Sequence, residues 1–339
     1  MGKLRIRIAG ATGAVGTTLL DLFLTHQDPV DIVCYASARS AGKTITCQGQ
    51  TFELQAFSVD HAASCDAVFL CVSGGFSLEY GPLLAKNSYV IDNSSAFRYA
   101  DDVPLIVPPV NPHSFTGQTL IANPNCSSAI ALVVLAPLHK KYGIEHLTIS
   151  TYQAASGAGK PAMDELLART KEFKDYDRTF SSNYFFHDLA YNVVPQVDKF
   201  QDNLYTKEEM KMVWEIRKVL EVPSLPIDAT AVRVPALRSH AESISIKFSQ
   251  PVTSLADARA LLAADVNVEL CDDTTSNLYP MPVTSTYKHA VEVGRIRHSL
   301  VHGEQGRNLF ISGDQLLRGA ALNAYEIYQL IYQQQPVAA

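Results

Sequence analysis

Six cysteines in 339 residues are too few for a disulfide scaffold, and Cys34, Cys47, Cys65, Cys71, Cys126 and Cys271 make no CxxC or zinc-finger spacing. A reducing, cytoplasmic setting and no metal site are expected. Charge is scarce too: 18% of residues are charged and the net charge is −6, without the basic surplus of a nucleic-acid binder. No apolar run approaches the roughly 18 residues of a membrane span. The opening MGKLRIRIAG alternates Leu4, Ile6 and Ile8 with polar neighbours and lacks the apolar core of a signal peptide. What remains is a chain 47% hydrophobic, far from the composition of disorder. Its length suits two domains, each with its own core.

The first third alternates strands and helices. KLRIRIAG, DIVCYAS, DAVFLCVSGG and SYVIDNS read as strands, and TTLLDLFLTH and SLEYGPLLAKN as helices. Short apolar runs ending in Gly, Ser or Asn between helical stretches predict an α/β fold with a doubly wound, Rossmann-type parallel sheet. Near residue 126 the texture changes. A helical run, SSAIALVVLAPLHKKYG, leads into the strand HLTISTYQAAS, followed by an aromatic and polar stretch to residue 205. Thr206 is placed to cap the helix TKEEMKMVWEIRKVL. ESISIKF alternates as a half-buried antiparallel strand, and GDQLLRGAALNAYEIYQLIYQQQ closes the chain as a helix.

GATGAVG follows the first strand with Gly10, Gly13 and Gly16 at a strand-to-helix turn. Glycine belongs there because the backbone turns sharply and approaches a pyrophosphate, whose charge the helix N-terminus holds. The context points to dinucleotide binding. An NAD site usually ends its second strand with a carboxylate for the ribose 2′-hydroxyl. DIVCYASARSAGK offers Ser37, Arg39 and Ser40 instead, a set suited to the 2′-phosphate of NADP.

In ANPNCSSAIALVV, Cys126 stands where a loop enters a helix, beside Asn125, Ser127 and Ser128. A helix N-terminus stabilises a thiolate, the nucleophilic form of cysteine. A cysteine nucleophile calls for a proton carrier, and of ten histidines His240 stands out, with two arginines before it and a strand after it.

With GATGAVG, VIDNSSAFR, VPLIVPPVNP, ANPNCSS, TYQAASGAGK, YTKEEMKMVWEIRK, RVPALRSH and LLRGAALNA in this order, the chain resembles the aspartate-β-semialdehyde dehydrogenases along essentially its whole length. The sister N-acetyl-γ-glutamyl-phosphate reductases usually flank their cysteine with Gly and Tyr, where this chain has Asn125 and Ser127. The resemblance implies Cys126 as nucleophile, His240 as general acid and base, and Gln153 as orienter of the bound intermediate. It implies Arg233 on the substrate carboxylate, Glu208 on its ammonium, and Arg98 and Lys211 on phosphate, with Asn125, beside the nucleophile, also in the substrate- and phosphate-binding set. Gly10, Ala11, Thr12, Gly13, Ala14, Val15 and Gly16, then Ser37, Arg39, Ser40, Ser73, Gly74, Ser156, Gly157 and Gln315, would contact NADP. The implied reaction is NADPH-dependent reduction of L-aspartyl-4-phosphate to L-aspartate 4-semialdehyde and inorganic phosphate through a thioacyl enzyme, in lysine, threonine, methionine and isoleucine biosynthesis.

It implies an NADP-binding domain of residues 1–125 with about 316–339, and an inserted α+β catalytic and dimerisation domain of residues 126–315. The expected assembly is a homodimer, with a tetramer as the alternative, and no nucleic-acid or membrane partner. Two positions depart from the family pattern: Pro109 replaces the acid of VPEVN, and Gln315 follows Asp314 where Asn is usual. Gln315 could reach the cofactor through its amide. An N-acetylglutamyl-type reductase and a noncatalytic NADP-binding regulator remain alternatives.

Overall fold

The computed structural model describes residues 3–175, 182–252 and 254–334. The last five residues of the expected NADP-binding domain, and residues 176–181 of the aromatic and polar stretch, lie outside the described residues. The chain divides into two compact units, one made of residues up to Asn125 together with those from Gly319, the other of Cys126–Arg318.

The first unit opens with β1 (Leu4–Ala9), α1 (Ala14–Thr25), β2 (Val30–Ala36), β3 (Thr44–Cys47), β4 (Gln50–Ala56) and the short α2 (Val59–Ala63). It continues with β5 (Ala67–Leu70), α3 (Gly74–Leu84), β6 (Tyr89–Asp92) and β7 (Leu120–Ala122). The sheet order is β3-β4-β2-β1-β5-β6-β7, parallel except for the edge pair β3–β4. Every residue of β5 is buried, as a strand covered on both faces must be. Strand order reverses at β1, which has β2 on one side and β5 on the other. The carboxyl edge of these strands is therefore where an open α/β sheet takes its ligand.

The β3–β4 hairpin is absent from the sequence expectation. Its strands are largely solvent-facing, so they carry little apolar period to read. Its turn rests on positive φ at Gln48 (46°) and Gly49 (77°).

The second unit begins with α4 (Cys126–Tyr142) and β8 (Ile144–Gln153), followed by α5 (Lys160–Glu172), α6 (Lys207–Val219) and β9 (Ile227–Arg233). Then come β10 (His240–Phe248), α7 (Leu255–Ala263), β11 (Val268–Leu270), the single turn α8 (Pro282–Ser285), β12 (Val291–Ser299) and β13 (Gly303–Gly313). Its mixed sheet runs β11-β12-β13-β10-β8-β9. β10 is antiparallel to both neighbours, as its alternation suggests. On β8, Leu147, Ile149, Thr151 and Gln153 are buried while Thr148, Ser150 and Tyr152 are not, so one face carries the core and the other is more open. α4 is apolar almost all round and buried along most of its length. The chain ends in α9 (Leu322–Gln334), which packs on α1 of the first unit through Phe23, Tyr325 and Tyr328. Within the first unit, Asn323 donates to the side chain of Asn123 and to the Ile106 carbonyl, tying this helix to β7.

Candidate active site

In the first unit the glycine turn closes on itself. Gly10 has φ +83°, and a Cβ there would lie 2.2 Å from the Cys71 carbonyl oxygen. A Cβ on Gly16 would lie 2.3 Å from the Gly10 oxygen. No other residue fits either position. Gly10 and Ala11 donate their N–H groups to the Tyr35 carbonyl, fixing the loop to the end of β2. α1 starts behind Gly13 without a side-chain cap, so an anion can take the capping role. Ala11 is buried, Thr12 exposed, and Ala14 and Val15 half-buried. Ser37, Arg39 and Ser40 follow β2, and Ser73 and Gly74 follow β5. All of these segments thus leave the same carboxyl edge of adjacent parallel strands. Ser73 caps α3 by accepting from the Phe76 N–H.

Arg98 and Asn125 are buried within the first unit, and Arg98 Nη2 donates to the Asn93 carbonyl at 3.0 Å. Pro109 is exposed, and nothing in the structure explains its departure from the family pattern.

The second unit gathers its candidate residues at one edge of its sheet. Gln153 ends β8, Arg233 ends β9 level with it, and His240 starts β10 one residue beyond the Ala241–Tyr152 pair. Cys126 is the first residue of α4, half-buried. Gln153 Nε2 donates to Ser127 Oγ at 3.0 Å and to Glu208 Oε1 at 3.3 Å, joining β8 to α4 and α6. Glu208 Oε2 accepts from Lys211 Nζ at 2.9 Å, and Lys211 also donates to Asp198 at 2.8 Å. Although burial opposes it, the pair of carboxylates holds the Lys211 ammonium up to about 12. Thr206 caps α6 in a capping box with Glu209, whose second oxygen accepts from the Ala231 N–H of β9. That tie fixes the face of α6 bearing Glu208 and Lys211.

Arg233 and His240 both hang from the main chain of Ala154, through the two peptide groups that flank its Cα. Arg233 Nη1 donates to the Ala154 carbonyl at 2.7 Å, and the Ala154 N–H donates to His240 Nδ1 at 3.1 Å. His240 is 0% exposed. Burial, then the neighbouring Arg233 charge, pushes its imidazole down to about 3. Because Nδ1 accepts a hydrogen bond, the neutral ring carries its proton on Nε2. Burial also lowers Arg233, while Glu208 and Cys126 act to raise it.

The Gln315 amide is held by two partners. Its Oε1 accepts from the Ser239 N–H at 2.7 Å and its Nε2 donates to Ser156 Oγ, both inside the second unit. Asp314 is likewise engaged, by Arg238 and by the N–H groups of Tyr287, Leu316 and Leu317. Gly157 is exposed beside Arg233 and His240. Nothing in the sequence points to Ala154, whose role is carried by its backbone, or to Asp198, thirteen residues from Lys211.

Two family models match the chain: the semialdehyde dehydrogenase NAD binding domain over residues 5–118 and the semialdehyde dehydrogenase dimerisation domain over residues 135–318. The aspartate-semialdehyde dehydrogenase of Legionella pneumophila is 38% identical over 97% of this chain and 95% of its own. That of Aquifex aeolicus is 39% identical over 96% and 97%. The chain belongs to the aspartate-semialdehyde dehydrogenase family. A solved family structure, aspartate semialdehyde dehydrogenase II from Vibrio cholerae complexed with ASA, has a TM-score of 0.91 at 36% identity and covers 99% of this chain and 100% of its own. The α/β architecture expected from sequence is thus that of the aspartate-semialdehyde dehydrogenases. Among the described residues, no helix is long and apolar enough to cross a membrane.

Proposed function

We propose that the protein is a cytoplasmic, NADP-dependent aspartate-semialdehyde dehydrogenase. In the biosynthetic direction it reduces L-aspartyl-4-phosphate to L-aspartate 4-semialdehyde and inorganic phosphate, supplying lysine, threonine, methionine and isoleucine synthesis. The observation that carries this reading is the convergence of Gln153, Glu208, Lys211, Arg233 and His240 at one sheet edge of the unit whose first residue is Cys126.

The glycine turn fits a dinucleotide, because added side chains at Gly10 and Gly16 would strike backbone while the start of α1 is uncapped. Gly10–Gly16, with Ser73 and Gly74, would hold the pyrophosphate side. Ser37, Arg39 and Ser40, with no carboxylate among them, suit a 2′-phosphate. A bound NADPH supplies the hydride.

The Cys126 thiolate, at a helix start that favours negative charge, attacks the acyl carbon. The C–O bond to phosphate breaks, inorganic phosphate leaves, and a thioacyl enzyme remains. Arg98 and Lys211 would meet the phosphate, with Asn125 beside the nucleophile. Arg233 takes the α-carboxylate and Glu208 the ammonium, a charge that an N-acetylated substrate lacks. Hydride addition to the thioacyl carbon creates an oxyanion, to which the neutral His240 Nε2–H donates. Collapse of this adduct breaks the C–S bond, releasing the aldehyde and restoring the thiolate. His240, neutral with its proton on Nε2, acts as the general acid and base of these steps, beginning as the donor to this oxyanion. Gln153 orients the adduct, while Gln315 holds Ser156 and the residue before His240.

The dimerisation-domain match supports a homo-oligomer, for which we take a homodimer through the open sheet face, with a tetramer as the alternative. The test is phosphate-dependent NADP⁺ reduction with L-aspartate semialdehyde, with NAD⁺ compared. Turnover is expected from the wild type and not from Cys126→Ser. No wild-type turnover, or undiminished turnover in the variant, overturns the reading.

A further inference from the structure

Family resemblance implies that Gly157 touches the cofactor, but its surroundings in the second unit are those of the substrate-binding side chains. A Cβ on Gly157 would lie 2.8 Å from Arg233 Nη1, 3.3 Å from His240 Nε2 and 3.4 Å from His240 Cε1. Its φ is not in the left-handed region, so space rather than backbone conformation demands glycine.

The neighbours have little freedom to move aside. Arg233 is buried and its Nη1 donates to the Ala154 carbonyl, which also accepts from the Gly157 N–H at 3.2 Å. The His240 ring is fully buried and fixed through Nδ1. The segment carrying Gly157 is itself pinned, because Ala155 and Ser156 donate their N–H groups to the Ala236 and Leu237 carbonyls. Ser156 Oγ also accepts from Gln315.

We infer that Gly157 is a positioning residue for substrate recognition: its bare backbone lets the Arg233 guanidinium and the His240 imidazole pack against one point and so sets their spacing. The inference rests on the reading above, in which Arg233 grips the carboxylate and His240 Nε2 meets the carbonyl oxygen. A methyl group at 157 displaces the guanidinium, the more flexible partner, and crowds the ring.

The experiment is Gly157→Ala in the full chain, with KM and kcat for L-aspartate semialdehyde and the NADPH dissociation constant measured by fluorescence. KM should rise at least tenfold, while an unchanged thermal melt reports an intact fold. Unchanged KM, or weakened NADPH binding with unchanged KM, overturns the inference and returns Gly157 to the cofactor.

A double-mutant cycle with Arg233→Lys separates positioning from general damage, since lysine has no Nη1 for the methyl group to strike. The KM penalty of Gly157→Ala should shrink severalfold in that background, and strictly multiplicative effects refute it. Failure of the functional reading is distinguishable because it removes wild-type turnover. In that event the ¹⁵N resonances of the His240 ring still decide the packing, shifting in Gly157→Ala if the inference holds and staying in place if it does not.

Discussion

Replacing Glu242 by Gln should flatten part of the pH dependence of stability. Glu242 lies on the core-facing side of β10, two residues from His240, with Thr151 and Ile311 opposite on the neighbouring strands. It is 0% exposed, and neither carboxyl oxygen has a hydrogen-bond partner among the described residues. Burial pushes this carboxyl well above the usual range, so it is a neutral acid in the fold.

An unfolded Glu titrates near about 4.3. Between that value and its raised folded value, the native state holds one proton more than the unfolded state. Stability therefore falls as pH rises through the window, by about 1.4 kcal/mol per pH unit. Gln has nearly the same shape and no titration. Urea denaturation of both proteins at pH 5.5, 6.5 and 7.5, at one fixed protein concentration because assembly adds a mass-action term, isolates the effect. The stability of wild type relative to Glu242→Gln should fall from pH 5.5 to 7.5, with a slope of at most about 1.4 kcal/mol per pH unit while the folded carboxyl keeps its proton. Parallel pH curves would refute the reasoning, because they would mean that the carboxylate is ionised in the fold.

Four further outcomes are expected. His240→Gln, which can present an N–H near the place of Nε2, should keep more activity than His240→Ala, whose kcat should fall about 10²–10⁴-fold; equal losses argue against a donor role. Because His240 is held down to about 3, the wild-type kcat profile should show no inflection from this ring between pH 5 and 8. Arg39→Asp should reduce the preference for NADP⁺ over NAD⁺ about tenfold to a hundredfold, the worth of a charge-assisted contact; steady-state kinetics with both cofactors would expose an unchanged ratio. Gly10→Ala should cost about 3 kcal/mol or more, from a positive φ and a methyl group driven into the Cys71 carbonyl, and a thermal melt matching wild type would contradict this.

What could be read in the sequence was what local chemistry decides. The glycine turn is legible because Gly10 and Gly16 have no steric alternative. Thr206 is legible because a cap needs only the following helix, and the capping box with Glu209 bears this out. ESISIKF announces its antiparallel pairing by alternation. The same alternation puts Glu242 in register with Ile244 and Ile246 on the buried face, something a half-buried strand reading does not single out. The β3–β4 hairpin escaped because its side chains bury too little to show a period. Asp198 became visible as a partner of Lys211 only when the fold joined segments thirteen residues apart. The partners of the Gln315 amide, Ser156 and the Ser239 N–H, were not legible because they lie 159 and 76 residues away in the chain.

The main chain of Ala154 has a consequence for how such a site is mapped. Its N–H fixes the ring of His240 and its C=O fixes the head of Arg233, and every non-proline residue supplies both groups. An alanine scan passes over the position, since it is alanine already. A saturation library reads only the size tolerated at a fully buried site. Two reactive side chains thus depend on atoms that codon changes cannot delete, apart from the N–H lost to proline. Exchange of the Ala154 N–H for an ester oxygen would make the His240 half of that dependence measurable, and the same exchange at Ala155, which weakens the Ala154 carbonyl, the Arg233 half, with every side chain left in place.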